Sequence, residues 1–285
     1  MSAYFDLPMI SGKTTLIAHL GFPTESFKAP MIYNPWFEHA GVDAAVVPIG
    51  VKADDYAAFL PLLFHASNVR GALVTMPHKV TTVALLDEVT PAVRVAGSCN
   101  AVLKRADGSL LGDMFDGAGF VRGVERKGRR LAGTRALVVG SGGVGSAIAA
   151  SLAGAGVATL CVHDTNPANA DALAARLREN YPSIDVRTGS NDPAGCDVVV
   201  NATPLGMRDG DPLPFDVSRL APATFVGEVV MKQEMTALLR AAQARGCSFQ
   251  VGTDMLFEQI PAYLEFFGFP STTADELRSI ARIDY

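Results

Sequence analysis

Cysteine is scarce in this chain, and so is basic charge. The four cysteines, Cys99, Cys161, Cys196 and Cys247, form no C-x-x-C pair and join no histidine cluster. That excludes a recognisable zinc motif, and no metal is expected. Cys161 and Cys196 sit in or beside apolar runs and read as buried thiols. The 24 Lys and Arg are outnumbered by 29 Asp and Glu, for a formal net charge of −5. No basic patch or stripe is visible, so a nucleic-acid partner is not expected. Internal repeats and low-complexity linkers are missing. The N-terminus, MSAYFDLPMI, lacks the basic region of a secretory leader, which sets the expectation of a cytoplasmic, reducing location. Residues 136–162 carry no charge and are long enough to span a bilayer. They are rich in Gly, Ala and Ser, however, and read as a buried strand–turn–helix–strand, so no membrane partner is expected either.

What is present is material for a core: 49% of the 285 residues are hydrophobic and 19% charged, far from a disordered composition. The first hundred residues alternate β-type and helical patterns. Strands are expected at 14–20, 44–49 and 71–76. Helices are expected at 30–40, with Pro30 at its start, and at 54–65, with Tyr56, Phe59, Leu62 and Leu63 on the apolar side. Residues 99–112 read as a hairpin turning on Ala106-Asp107-Gly108. Residues 117–130 form a basic connecting helix with a solvated face. A second series follows, with strands at 136–139, 159–163, 184–188, 198–201 and 224–230. Helices at 168–180 and 236–244 belong to it, and a helical tail at 253–282 can cross back to the first part. The βαβ rhythm predicts an α/β fold with mixed or parallel sheets and two domains. The expected division is a substrate-binding unit at 1–115, completed by 251–285, and a Rossmann unit at 116–250.

The segment Gly140-Ser141-Gly142-Gly143-Val144-Gly145 matches G-x-G-x-x-G. A strand precedes it, an Ala-rich helix follows, and Asp164 ends the next strand at the required distance of roughly twenty residues. Gly140 permits the tight turn, Gly142 admits the pyrophosphate to the backbone, and Gly145 lets helix and strand pack closely. The helix N-terminus then faces the phosphates. Asp164 can accept a hydrogen bond from a ribose 2′-hydroxyl and would repel a 2′-phosphate. Asn166 lies beside it, and no basic residue occurs before Arg176. NAD is therefore the expected cofactor, ahead of NADP. Gly12-Lys13-Thr14 lacks the earlier glycine of a P-loop, since that position holds Leu7.

Five further segments carry a resemblance. Gly71-Ala-Leu-Val-Thr75-Met-Pro77-His-Lys79 resembles the G-x-N-V-T-x-P-x-K segment of the shikimate/quinate dehydrogenase family. Gly97-Ser-Cys-Asn100-Ala resembles its G-A-V-N-T, and Gly112-Asp-Met-Phe-Asp116-Gly-Ala-Gly119 its G-x-N-T-D-x-x-G. Asn201-Ala202-Thr203-Pro-Leu-Gly-Met207 resembles its N-A-T-S-x-G-M, beside the nicotinamide. Gly252-Thr-Asp-Met-Leu-Phe-Glu-Gln259 resembles its G-x-x-M-L-x-x-Q. The matches follow family order from about residue 70 to 260.

The resemblance implies a dehydrogenase whose catalytic pair is Lys79 and Asp116. Oxidising a secondary alcohol removes a hydride from carbon and a proton from oxygen, and the proton needs an acceptor within hydrogen-bond reach. A buried lysine can serve, oriented by a carboxylate. Alone, Lys79 would read as a solvated helix-start residue and Asp116 as an N-cap for a helix starting at Gly117. By the same resemblance Asn201, Ala202, Thr203, Met207 and Gly252 border the cofactor, and Thr75, Asn100 and Gln259 bond substrate hydroxyls.

One region departs from the family. Its carboxylate-binding serines, in G-N-P-I-x-H-S-x-S-P, correspond to Phe27 and Ala29, and the tyrosine of D-x-V-Y-x-P to Met231; the asparagine of N-V-T is Leu73. A bare carboxylate facing Phe, Ala and Met would be poorly solvated. Ser26, one residue off register, and Lys28, between the altered positions, remain able to bind an acid. The expected substrate is a small cyclic polyol acid or a relative with a less polar C1 group, and a homodimer is admitted as an assembly. A nucleotide-sensing binding protein on the same scaffold is the alternative, disfavoured by the retained Lys79 and Asp116. A methylene-tetrahydrofolate dehydrogenase-like enzyme ranks below both.

Overall fold

A computed structural model describes residues 10–283. Residues 1–9, on which the reading of the N-terminus rests, lie outside the described residues. The first part of the chain runs β1 (Thr15–Gly21), α1 (Pro30–His39), β2 (Ala44–Gly50), α2 (Ala53–Leu63), β3 (Val69–Val74) and α3 (Lys79–Thr82). It continues through β4 (Glu88–Val89), α4 (Pro91–Ala96), β5 (Ala101–Lys104), β6 (Leu110–Asp113) and α5 (Asp116–Arg126). Then come β7 (Arg135–Val139), α6 (Gly143–Gly154), β8 (Thr159–His163), α7 (Pro167–Asn180), β9 (Asp185–Thr188), β10 (Val198–Asn201), β11 (Phe225–Glu228), α8 (Ala237–Ala244) and β12 (Ser248–Gln250). Helices α9 (Gly252–Phe266) and α10 (Ala274–Ile280) close the chain. Among the described residues no helix is long and apolar enough to cross a membrane.

The strands form two six-stranded sheets. The first has the order β2-β1-β3-β5-β6-β4, with β1, β2 and β3 parallel and the β5–β6 hairpin antiparallel. The second is wholly parallel, in the order β12-β11-β10-β7-β8-β9. Its strand order reverses between β7 and β10, and ligands of such sheets bind in the crevice outside the strand C-termini at that switch point.

Both faces of both sheets are covered, which is why the strands read as apolar runs and not as alternating patterns. In the first sheet Ile17, Val46 and Leu73 point to α1, α9 and α10, while Ala18, Leu20 and Ala72 point to α2 and α4. In the second, Ala136 and Val138 pack on α5, α6 and α7; Leu137 and Val139 pack on α8. The tail does cross back: Leu256, Ile260 and Leu264 of α9 join the core with Ile17 and Leu73. One expected face is wrong. On α2 the fully buried residues are Tyr56 and Leu60, whereas Leu62 is 65% exposed. Phe59 and Leu63 are only partly buried. Pro61 bounds the last turn, and the helix rests on the sheet along the 56–60 line.

Candidate active site

The glycine turn begins where β7 ends. Gly140 adopts φ +103°, in the left-handed region that favours glycine. A Cβ on Gly142 would meet nothing within 4 Å, so its backbone is open to a ligand. A Cβ on Gly145 would lie 1.8 Å from the Gly140 carbonyl oxygen, so only glycine lets α6 start this close to β7. Beside the turn lies a groove of about 540 Å³ bordered by Gly140, Gly142, Gly143, Val144, Asp164 and Thr203. Open N–H groups at a helix N-terminus on a doubly wound sheet fit a dinucleotide pyrophosphate.

Asp164 occupies the expected place but has prior partners. Its Oδ2 accepts from Ser141 N–H at 2.8 Å and its Oδ1 from Asn166 N–H at 2.9 Å, so the carboxylate ties two loops together. Asn166 caps α7, accepting from Ala168 N–H, and does not border the groove. Arg176 is directed elsewhere, donating to the Val95 and Ala96 carbonyls at 2.9 and 3.1 Å and so linking α7 to α4.

Lys79 opens α3 and Asp116 opens α5. Both are buried, at 8% and 3% exposure, and Lys79 Nζ donates to Asp116 Oδ2. Asp116 is the first helical residue and no N-cap; that place belongs to Phe115. Its charge meets both the lysine and the helix N-terminus, where a carboxylate is favoured. The lysine stem lies against the glycine turn, since a Cβ on Gly143 would come 2.9 Å from Lys79 Cβ. Ser98 Oγ donates to the Gly143 carbonyl at 2.8 Å. Lys79 from α3 and Ser98 from the loop after α4 therefore both reach the glycine turn, and Lys79 borders both the groove and a second pocket.

That second pocket, of about 230 Å³, brings together most of the expected substrate residues. Ser26, Phe27, Lys28, Ala29, Leu73, Thr75, Met231 and Gln259 all line it, as do Ala202, Thr203 and Met207 from the loop after β10. Asn100 is buried behind the lining, its Oδ1 accepting from Phe115 N–H at 3.0 Å. Asn201 is fully buried and shapes its own loop, accepting from Thr203 Oγ1 at 2.6 Å. Gly252 borders neither cavity. A Cβ there would lie 2.2 Å from the Val230 carbonyl oxygen, so the glycine serves the close packing of α9 on the 229–230 backbone.

Three residues escaped the sequence reading. His19, on β1, is 8% exposed, lines the pocket and stacks on Phe27 with ring centroids 4.1 Å apart. Burial, aided by the charge of Lys79, pushes its imidazole down to about 3. A histidine inside the apolar run Thr15–Gly21 was the available clue. Tyr33, on α1, also lines the pocket and is 1% exposed. Glu228, fully buried at the end of β11, accepts from Asn201 Nδ2, Val229 N–H and Val230 N–H through Oε1, and from Thr236 Oγ1 through Oε2. Burial pushes its carboxyl up to about 7.

A family model for the shikimate dehydrogenase substrate binding domain matches residues 20–102. The chain is 38% identical over 257 residues to the shikimate dehydrogenase (NADP(+)) of Rubrobacter xylanophilus, covering 89% of this chain and 90% of that protein. Among solved structures it is similar to shikimate 5-dehydrogenase from Thermus thermophilus in complex with NADP(H) and shikimate. That likeness has 27% identity, TM-score 0.84, and coverage of 94% of this chain and 99% of that one. It is also similar to the ligand-free 5-ketofructose reductase of Gluconobacter sp. strain CHM43, at 25% identity, TM-score 0.83, and coverage of 95% and 98%.

The expectation of NAD ahead of NADP is thereby corrected, because the Rubrobacter relative is named for NADP(+) and the Thermus enzyme holds NADP(H). Both Asp164 oxygens accept backbone N–H groups, so the residue has a structural task of its own, and a carboxylate at this position does not by itself select the ribose.

Proposed function

The chain belongs to the shikimate dehydrogenase family, and on that premise we propose that it moves a hydride reversibly between a ring secondary alcohol and a nicotinamide dinucleotide. The carrying observation is the buried Lys79–Asp116 pair, set where the groove along the glycine turn meets the substrate pocket. The unit at 1–115, completed by 251–285, holds the alcohol; the unit at 116–250 holds the dinucleotide. When bound, the dinucleotide supplies the hydride acceptor.

This chain's residues supply the rest. Gly140, Ser141, Gly142, Gly143, Val144 and Gly145 present backbone to the pyrophosphate, and Ala202, Thr203 and Met207 flank the nicotinamide end. During oxidation the neutral Lys79 amine takes the hydroxyl proton and becomes the ammonium that Asp116 pairs with; during reduction that ammonium gives the proton to the carbonyl oxygen. Asp116 holds the amine toward the substrate and compensates its charge. Thr75 and Gln259 bond the remaining hydroxyls. A nucleotide sensor would need no proton acceptor, and a buried charged pair without a task is costly to keep.

Turnover tests the reading. Purified protein with a dinucleotide and a panel of cyclic polyols and their acids should raise the near-ultraviolet absorbance of reduced nicotinamide. Lys79→Met, which keeps the stem against Gly143, should cut kcat by roughly 10²–10⁴-fold and leave dinucleotide binding nearly intact. Normal turnover in that variant would remove Lys79 from the mechanism.

A further inference from the structure

Resting on the dehydrogenase reading, we propose that this pocket takes a polyhydroxylated substrate whose end against Phe27 is uncharged, and that His19 and Tyr33 read an oxygen there. The wall at that end is apolar: Phe27, Ala29 and Met231 all border the cavity. Set into it are neutral polar groups without a hydrogen-bond partner among the described residues, namely His19 Nδ1, Tyr33 Oη and Gln259 Oε1. All three side chains are more than nine-tenths buried. Buried polar atoms left unpaired are costly, and a ligand oxygen or hydroxyl brought to them removes that cost.

None of these groups brings a positive charge to a carboxylate. The His19 imidazole is held neutral by burial and by Lys79, so it supplies one donor and one acceptor and no charge. Burial keeps the Tyr33 phenol protonated. Gln259 Oε1 accepts only, and would face a carboxylate with like polarity. The cationic groups bordering the cavity are Lys79, paired with Asp116; Lys28, which has an interaction of its own; and Lys232, exposed to solvent. A carboxylate beside Phe27 would exchange its hydration for apolar carbon, whereas a hydroxyl, carbonyl or ester would lose far less. Stacking on Phe27 holds the His19 ring in one plane, as a reader of a single oxygen requires.

The test compares shikimate with its methyl ester, which keep the same ring and hydroxyls and differ in charge at C1. Calorimetric titration into the dinucleotide-loaded protein should give a Kd for the ester at least roughly tenfold below that of the acid. His19→Leu should abolish that advantage without changing the dinucleotide Kd, and His19→Gln should restore part of it. Joint Phe27→Ser, Ala29→Ser and Met231→Tyr substitution should turn the preference toward the acid. Tighter binding of shikimate by the unaltered protein overturns the inference, as does failure of both ligands to bind. Tighter binding of the ester without oxidation would instead count against the dehydrogenase reading and leave the uncharged pocket standing.

Discussion

Glu228 makes the pH dependence of stability calculable. Its carboxyl is fully buried, and burial raises it from 4.5 to about 7 despite four donors. The folded protein thus holds this proton more tightly than the unfolded chain does. Stability from this group is fully present below about pH 4.5 and is lost as pH rises through about 7. At 1.36 kcal/mol for each tenfold in proton affinity, the loss is roughly 3 kcal/mol. For a chain of this size that corresponds to roughly 5 °C in Tm. Glu228→Gln removes the titration while keeping the shape: Oε1 still accepts from Val229 and Val230 N–H, and Nε2 takes the place of Oε2 beside Thr236 Oγ1. Differential scanning calorimetry of parent and variant from about pH 5 to pH 8 should show similar Tm values at the acid end. The variant should gain by roughly 5 °C at the alkaline end. A constant difference across that range would refute the assignment. Glu228→Ala should lower Tm at every pH, because it strips the acceptor from two backbone N–H groups.

Asp164→Ala should loosen the glycine turn by freeing Ser141 and Asn166 N–H, and weaken NAD and NADP(+) alike in fluorescence titrations. Tightening toward NADP(+) alone would mean that the carboxylate acts on the ribose and not on the loop. Gly145→Ala, with its Cβ 1.8 Å from the Gly140 carbonyl oxygen, should abolish dinucleotide binding and lower Tm; retention of both would refute the close-packing argument. Arg176→Ala should destabilise by roughly 1–3 kcal/mol in urea unfolding, since the Val95 and Ala96 carbonyls lose a charged donor. An unchanged midpoint would show that the α4–α7 link carries no stability.

Local chemistry was legible in the sequence. The order of strands and helices, the hairpin on Ala106–Gly108 and the glycine turn follow from hydrophobic period and from the conformations that only glycine adopts. These depend on residues near one another in the chain. The family motifs pointed to Lys79 and Asp116 as a pair, but their meeting is tertiary, since they open two helices 37 residues apart. Other decisions were tertiary as well. Gly252, expected beside the cofactor, packs on Val230 because α9 crosses there. His19 looked like one of five scattered histidines until β1 and the 22–29 loop brought it onto Phe27. Asp164 had the right spacing, yet each of its oxygens also accepts a backbone N–H, from Ser141 and Asn166, and so ties two loops together. Sequence position places a polar group near a site; only the fold determines which partners reach it first, because hydrogen bonds and burial depend on distance in space.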